Sequence, residues 1–145
     1  MSLLDFMRVY IFSEVDGVVL LDGQPVSNAR VVRSAEYRNK LYTDTIKTDD
    51  QGRFHFDDIY RYSIRLAETV ILQKIIIYYG DKEYLAWKQF KQNDHRYGEL
   101  NVDLDSGLPM MKLQLGCELT VDQDSRQVIG SGLYRNTIHG LGRWD

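Results

Sequence analysis

Met111-Lys112-Leu113-Gln114-Leu115-Gly116-Cys117-Glu118-Leu119-Thr120-Val121 puts an apolar side chain at every odd position and a polar residue or glycine at every even one. Six apolar residues in unbroken alternation match the two-residue period of a half-buried β-strand and no helical period. Cys117 falls in the apolar register, so it reads as a small buried hydrophobe rather than a nucleophile. The same period recurs upstream. Arg53-Phe54-His55-Phe56 follows the turn Asp49-Asp50-Gln51-Gly52 and sets Phe54 and Phe56 on one face, with His55 on the solvent face and no partner identifiable in the sequence.

Working outward, the chain reads as short β-type runs separated by turn chemistry. Arg8 to Phe12 begins a strand. Val15 to Leu21 is a β-branched run that Asp22-Gly23 stops, and Pro25, lacking an amide donor, belongs at an edge or in a connection. Ala29 to Arg33 and Leu41 to Thr48 follow as strands. Asp57 to Glu68 has no dominant period and reads as a long connection. Thr69 to Tyr79, the most apolar stretch, reads as a central strand buried on both faces. Gly80-Asp81 turns it into Glu83 to Trp87 as a hairpin. Lys88 to Gly98 is polar with mixed charge, the pattern of an exposed loop. Leu100, Val102 and Leu104 alternate with Asn101, Asp103 and Asp105 in a further half-buried strand. The whole is an all-β domain over residues 15–122, with an N-terminal segment (1–14) whose first strand docks on it and a Gly-, Ser- and Arg-rich tail (123–145).

Size and charge narrow the possible functions. The chain has 145 residues, which suits one domain. Eighteen Lys and Arg against twenty-one Asp and Glu give a net charge of −3, the opposite of the basic balance that a nucleic-acid backbone selects. One cysteine precludes an internal disulfide. Met1 to Phe12 is apolar, but Asp5 and Arg8 interrupt it and it lacks a basic start and a small-residue cleavage site; spanning a bilayer takes about 20 residues. These features predict a cytoplasmic protein with no membrane insertion.

Val15 to Phe56 resembles the carboxypeptidase regulatory-like, or transthyretin-like, domains. The matching pieces are Gly17-Val18-Val19-Leu20, Asp22-Gly23-Gln24-Pro25-Val26, Asn28-Ala29-Arg30-Val31 and Thr48 through Phe56. The whole chain, from Ile11-Phe12-Ser13-Glu14-Val15 to Gly142-Arg143-Trp144-Asp145, is similar more loosely to small bacterial proteins of unknown function with that fold. The resemblance implies a transthyretin-like, immunoglobulin-like antiparallel β-sandwich of about seven or eight strands. It is nearly silent on function, because such domains serve as accessory modules in unrelated proteins.

Among relatives of that fold, 5-hydroxyisourate hydrolases carry a closing Tyr-Arg-Gly-Ser, which Tyr134-Arg135-Asn136-Thr137 only half matches, and no histidine lies near the first strand. His55, His95 and His139 show no close metal-ligand spacing. Acidic turns account for Asp44, Asp49, Asp50, Asp57 and Asp58 without a calcium loop. The expectation is therefore no catalytic residue, no cofactor and no metal. What stands out is aromatic and arginine content in segments read as connections: Tyr60, Arg61, Tyr62, Tyr97, Tyr134, Arg135, Arg143 and Trp144. These residue types anchor protein interfaces. The sequence thus predicts a non-catalytic protein-binding module, of the immunity or adaptor type, whose cognate partner is a protein such as a toxin or effector. A homo-oligomer through exposed strands is compatible with it. The alternatives are a hydrolase of the hydroxyisourate type and a carbohydrate-binding module, the latter requiring Trp87 or Tyr84 as an exposed platform.

Overall fold

The computed structural model describes residues 8–63, 70–100 and 112–119, together with the backbone of 129–130. The strands are β1 (Arg8–Phe12), β2 (Val15–Leu21), β3 (Gln24–Pro25), β4 (Arg30–Tyr37), β5 (Lys40–Lys47), β6 (Arg53–Phe56), β7 (Ile59–Tyr62), β8 (Ile71–Tyr79), β9 (Lys82–Lys91), β10 (Leu113–Glu118) and β11 (Ile129–Gly130). They form three sheets: β5-β4-β8-β9; β11-β10-β2-β3, with β6 also on β2; and the pair β1-β7. The chain is all-β. The described residues hold eleven strands in three sheets, more than the seven or eight expected. Part of the excess is β1-β7, which joins a segment read as N-terminal to one read as a connection.

β10 carries the alternation expected of it. Leu113, Leu115 and Cys117 are buried and the residues between them half-buried. It runs parallel to β2, with Leu113 opposite Val15 and Cys117 opposite Val19, so Val15 and Val19 share the core face with Leu113, Leu115 and Cys117. This pair departs from the all-antiparallel expectation. Gly17 lies on that face against Phe54, and a Cβ there would overlap the Phe54 ring. Gly52 (φ +75°) makes the turn into β6, where a Cβ would collide with the Val19 carbonyl. Phe54 and Phe56 are buried as expected, Pro25 sits on the short edge strand β3, and Gly80 (φ +63°) turns β8 into β9.

Two further expectations are corrected. β8 is central in its sheet but not buried on both faces: Ile71, Gln73, Ile75 and Ile77 are inside, while Leu72, Lys74, Ile76 and Tyr78 are half-buried, because one face alone meets the core. Lys88 to Gly98 is not an exposed loop, since β9 continues to Lys91 and both Lys91 and Gly98 are buried. The core is one cluster drawing on all three sheets, from Val9, Ile11 and Phe12 of β1 to Trp87 of β9 and Leu115 of β10. Trp87 is 1% exposed, so it offers no surface platform for a sugar. The expected strand at Leu100, Val102 and Leu104 extends outside the described residues.

Candidate functional site

Charged groups inside this core are handled by dense local pairing. Lys91 and Glu99 form an ion pair at 2.9 Å with both side chains fully buried. Lys91 Nζ also donates to the carbonyls of Tyr10 (2.7 Å) and His95 (2.8 Å). Glu99 Oε2 accepts from the Ser13 amide and from Gln73 Nε2. Gln73 in turn donates to the Ile11 carbonyl and accepts from Trp87 and Gln89. Burial pulls the Lys91 pKa down, against the opposing pull of Glu99. Through these bonds β8, β9 and the segment after Lys91 are stitched to β1.

Arg33 is the second buried cation. Its Nη1 donates to the Ser13 carbonyl, and its Nη2 donates at 2.6 Å both to Asp44 Oδ2 and to the Asp57 carbonyl. The guanidinium also lies 5.0 and 4.8 Å from the ring centroids of Phe12 and Phe56. Burial lowers its pKa while Asp44 pulls the other way. Arg33 thereby holds β5 beside the residues that lead into β7.

On the outside of β1-β7 the alternation sorts aromatic and cationic residues from the core. Val9 and Ile11 are buried, while Arg8, Tyr10, Tyr60 and Tyr62 share the opposite face, with Arg8 opposite Tyr62 and Tyr10 opposite Tyr60. Arg8 lies 4.8 Å from the Tyr60 ring and 5.3 Å from the Tyr62 ring, and donates to the Tyr62 hydroxyl at 3.0 Å. The rings of Tyr10 and Tyr60, and of Tyr60 and Tyr62, are 5.6 and 5.9 Å apart. Tyr60 and Tyr62 remain 38% and 49% exposed. Arg61 alternates to the other side, lies 4.7 Å from the Tyr42 ring of β5, and faces a cleft of about 770 Å³ between β5 and the β6–β7 segment.

Tyr60, Arg61 and Tyr62, predicted in a connection, therefore stand in a strand, because β1 supplies the backbone partner. Tyr97 is tied to the same flank indirectly. Arg96 stacks on it at 4.6 Å and bonds to Asp58, which precedes β7, at 3.0 Å. The Tyr97 hydroxyl donates to Glu14, a bond that pushes its pKa up to about 12. Tyr134, Arg135, Arg143 and Trp144 lie outside the described residues, as does His139. Sequence reading missed Arg8, Tyr10 and Tyr42 as companions. The available signal was the alternation Arg8-Val9-Tyr10-Ile11, which separates the outer pair from the inner one.

His55 does face solvent as predicted, but it has partners. Nδ1 is 2.6 Å from Asp16 and Nε2 is 3.0 Å from Asp57, while Lys112 meets the other Asp16 oxygen at 2.5 Å. With a carboxylate on each ring nitrogen, first Asp16 and then Asp57 raises the His55 pKa. At Asp16, desolvation pushes upward, but the bonds from Lys112 and His55 outweigh it and the net shift is downward. Cys117 is wholly buried, and its thiol pKa is pushed up to about 12. Among the described residues, no group of three or more His, Cys, Asp or Glu is arranged to hold a metal ion, and no helix is long and apolar enough to cross a membrane.

No curated protein and no solved structure matches this chain. Residues 15–122 match a family described as a domain of unknown function (DUF6795), and the chain belongs to that family.

Proposed function

We propose that this all-β domain is a non-catalytic protein-binding module, built as a transthyretin-like sandwich and working as an immunity-type or adaptor protein. The observation that carries the reading is the exposed face of β1-β7, where Arg8, Tyr10, Tyr60 and Tyr62 form a contiguous aromatic and cationic surface. Tyr and Arg combine large contact area with directional hydrogen bonding, and they dominate the residues whose truncation weakens protein complexes. Ring stacking and the Arg8 bond hold these side chains in place before a partner arrives, which lowers the entropic cost of ordering them.

The test is affinity purification from the native host with the full chain and with the Tyr60→Ala/Tyr62→Ala double variant. A protein retained by the wild-type chain and lost from an equally folded double variant is the expected result. Equal retention by both forms, or no retained protein, would count against this surface as the binding site.

A further inference from the structure

The hairpin joining β4 to β5 turns on Arg38 and Asn39, both at positive φ (51° and 61°), the geometry of a two-residue primed turn. The flanking pair Tyr37–Lys40 is then hydrogen-bonded, as is every second pair after it: Ala35–Tyr42, Arg33–Asp44 and Val31–Ile46. Leu41, Thr43, Thr45 and Lys47 consequently turn their amides and carbonyls to the outer side of the sheet. No strand among the described residues pairs with that side. β5 runs eight residues with neither proline nor bulge, and of the devices that normally protect an edge it carries a lysine at each end and Asp44 in its middle, the latter drawn toward Arg33.

The side chains of Tyr42, Asp44 and Ile46 stand on the same face of the sheet as buried Ala35, Arg33 and Val31 opposite them and line the cleft shared with Phe56, Asp57 and Tyr60. A strand added to β5 would place every second side chain over this cleft. Its middle is acidic. Asp44 is 48% exposed and spends one oxygen on Arg33, and Asp57 is 94% exposed and spends one oxygen on His55. The shared bonds to Arg33 Nη2 set the two residues side by side. Arg61 and Lys40 already lie against the Tyr42 ring, at 4.7 and 5.4 Å, so an incoming cation belongs at the Asp44–Asp57 end. A second copy of β5 would bring Asp44 to its middle and lysines only to its ends, the wrong charge for this cleft.

We infer that β5 takes up an extended segment of the partner as an added strand, with a lysine or arginine of that segment over Asp44 and Asp57. The inference rests on the protein-binding reading and specifies its mode. The probes are fluorescein-labelled peptides of about eight residues, the length of the edge, alternating threonine and valine. One has lysine at the middle cleft-facing position, one has glutamate there, and one is the lysine peptide N-methylated at the amides that would face β5. The lysine peptide should bind saturably, with the glutamate and N-methylated forms weaker by about tenfold or more, a factor within reach of one charge-paired contact or lost backbone bonds. Thr43→Pro removes an outward amide and should cost a similar factor, whereas Thr43→Val should not. If Thr43→Pro does not fold, the N-methylated peptide carries the same comparison from the ligand side. Equal binding of lysine and glutamate peptides, or no saturable binding, overturns the inference. So does self-association of the chain that Thr43→Pro abolishes. Loss of a natural partner from the Tyr60→Ala/Tyr62→Ala variant but not from Thr43→Pro would leave the protein-binding reading standing and strand addition refuted.

Discussion

The four-stranded sheet ends differently on its two sides. At β9 the edge is tied down: Lys91 and Gln89 reach the carbonyls of Tyr10, His95 and Glu99, and a fully buried ion pair sits beneath them. At β5 almost every side chain is exposed, and the backbone edge has no strand beside it among the described residues. Both edges carry charge, but with opposite consequences. A buried pair relies on hydrogen bonds to its other polar atoms, which here serve Lys91 Nζ and Glu99 Oε2 and leave Glu99 Oε1 without one, so those bonds become structural. Exposed charges along an edge cost little and remain available to a partner. On the proposed reading, the side of the sheet that binds is the one where, among the described residues, the backbone edge is unpaired and the carboxylates of Asp44 and Asp57 stay partly exposed.

Substitutions can break this contrast from either side. Glu99→Ala should have the largest effect, about 3–5 kcal/mol of unfolding free energy, because Lys91 would be left charged and buried. The double change Lys91→Met/Glu99→Leu should recover much of that loss, since removing both charges leaves neither stranded. Urea titration of Lys91→Met, Glu99→Leu and the double variant decides it, and full additivity of the two single effects would refute the pairing. Gln73→Leu comes next. It strands the Trp87 indole N–H and the Ile11 carbonyl in the core, at a cost of about 1–3 kcal/mol.

On the open side, Tyr62→Ala should shift the unfolding midpoint little, by less than about 1 kcal/mol, the worth of an exposed cation–π contact. A loss as large as that of Gln73→Leu would mean that the tyrosine face is structural rather than uncommitted.

The smallest effect is a pH dependence at His55. Its folded-state pKa is raised, by Asp16 first and Asp57 second. The stabilisation is therefore fully present below the unfolded value of about 6.5 and is lost as pH rises through the folded value. Thermal melts across this range should show stability falling with pH in the wild-type chain and a flatter profile in His55→Gln. Identical profiles would remove His55 from the account.

How far the sequence carried this picture depended on whether each signal was local. β10 and the Phe54–Phe56 pair announced themselves because one face meets the core and the other does not, which writes a two-residue period directly into the chain. β7 gave no such signal: Tyr60, Arg61 and Tyr62 are all exposed, and the strand exists because β1, about fifty residues earlier, pairs with it. Lys91 read as a member of an exposed loop, and Glu99 stood just past the end of that loop. Their burial depends on Ser13, Tyr10 and Gln73, partners that no window of sequence around them contains. Tyr60, Arg61 and Tyr62 were legible as interface residue types. Arg8, Tyr10 and Tyr42, which hold them in place, were not, because cross-strand neighbours are set by register.

The central claim is that the β5–β7 flank is the partner surface, and backbone hydrogen exchange of the full chain, alone and in the complex recovered from the host, tests it most directly. The account predicts slowed exchange at the outward amides of Leu41, Thr43, Thr45 and Lys47 and within Ile59–Tyr62, with Ile71–Tyr79 unchanged. Protection that leaves β5 and β7 untouched and appears elsewhere would contradict it.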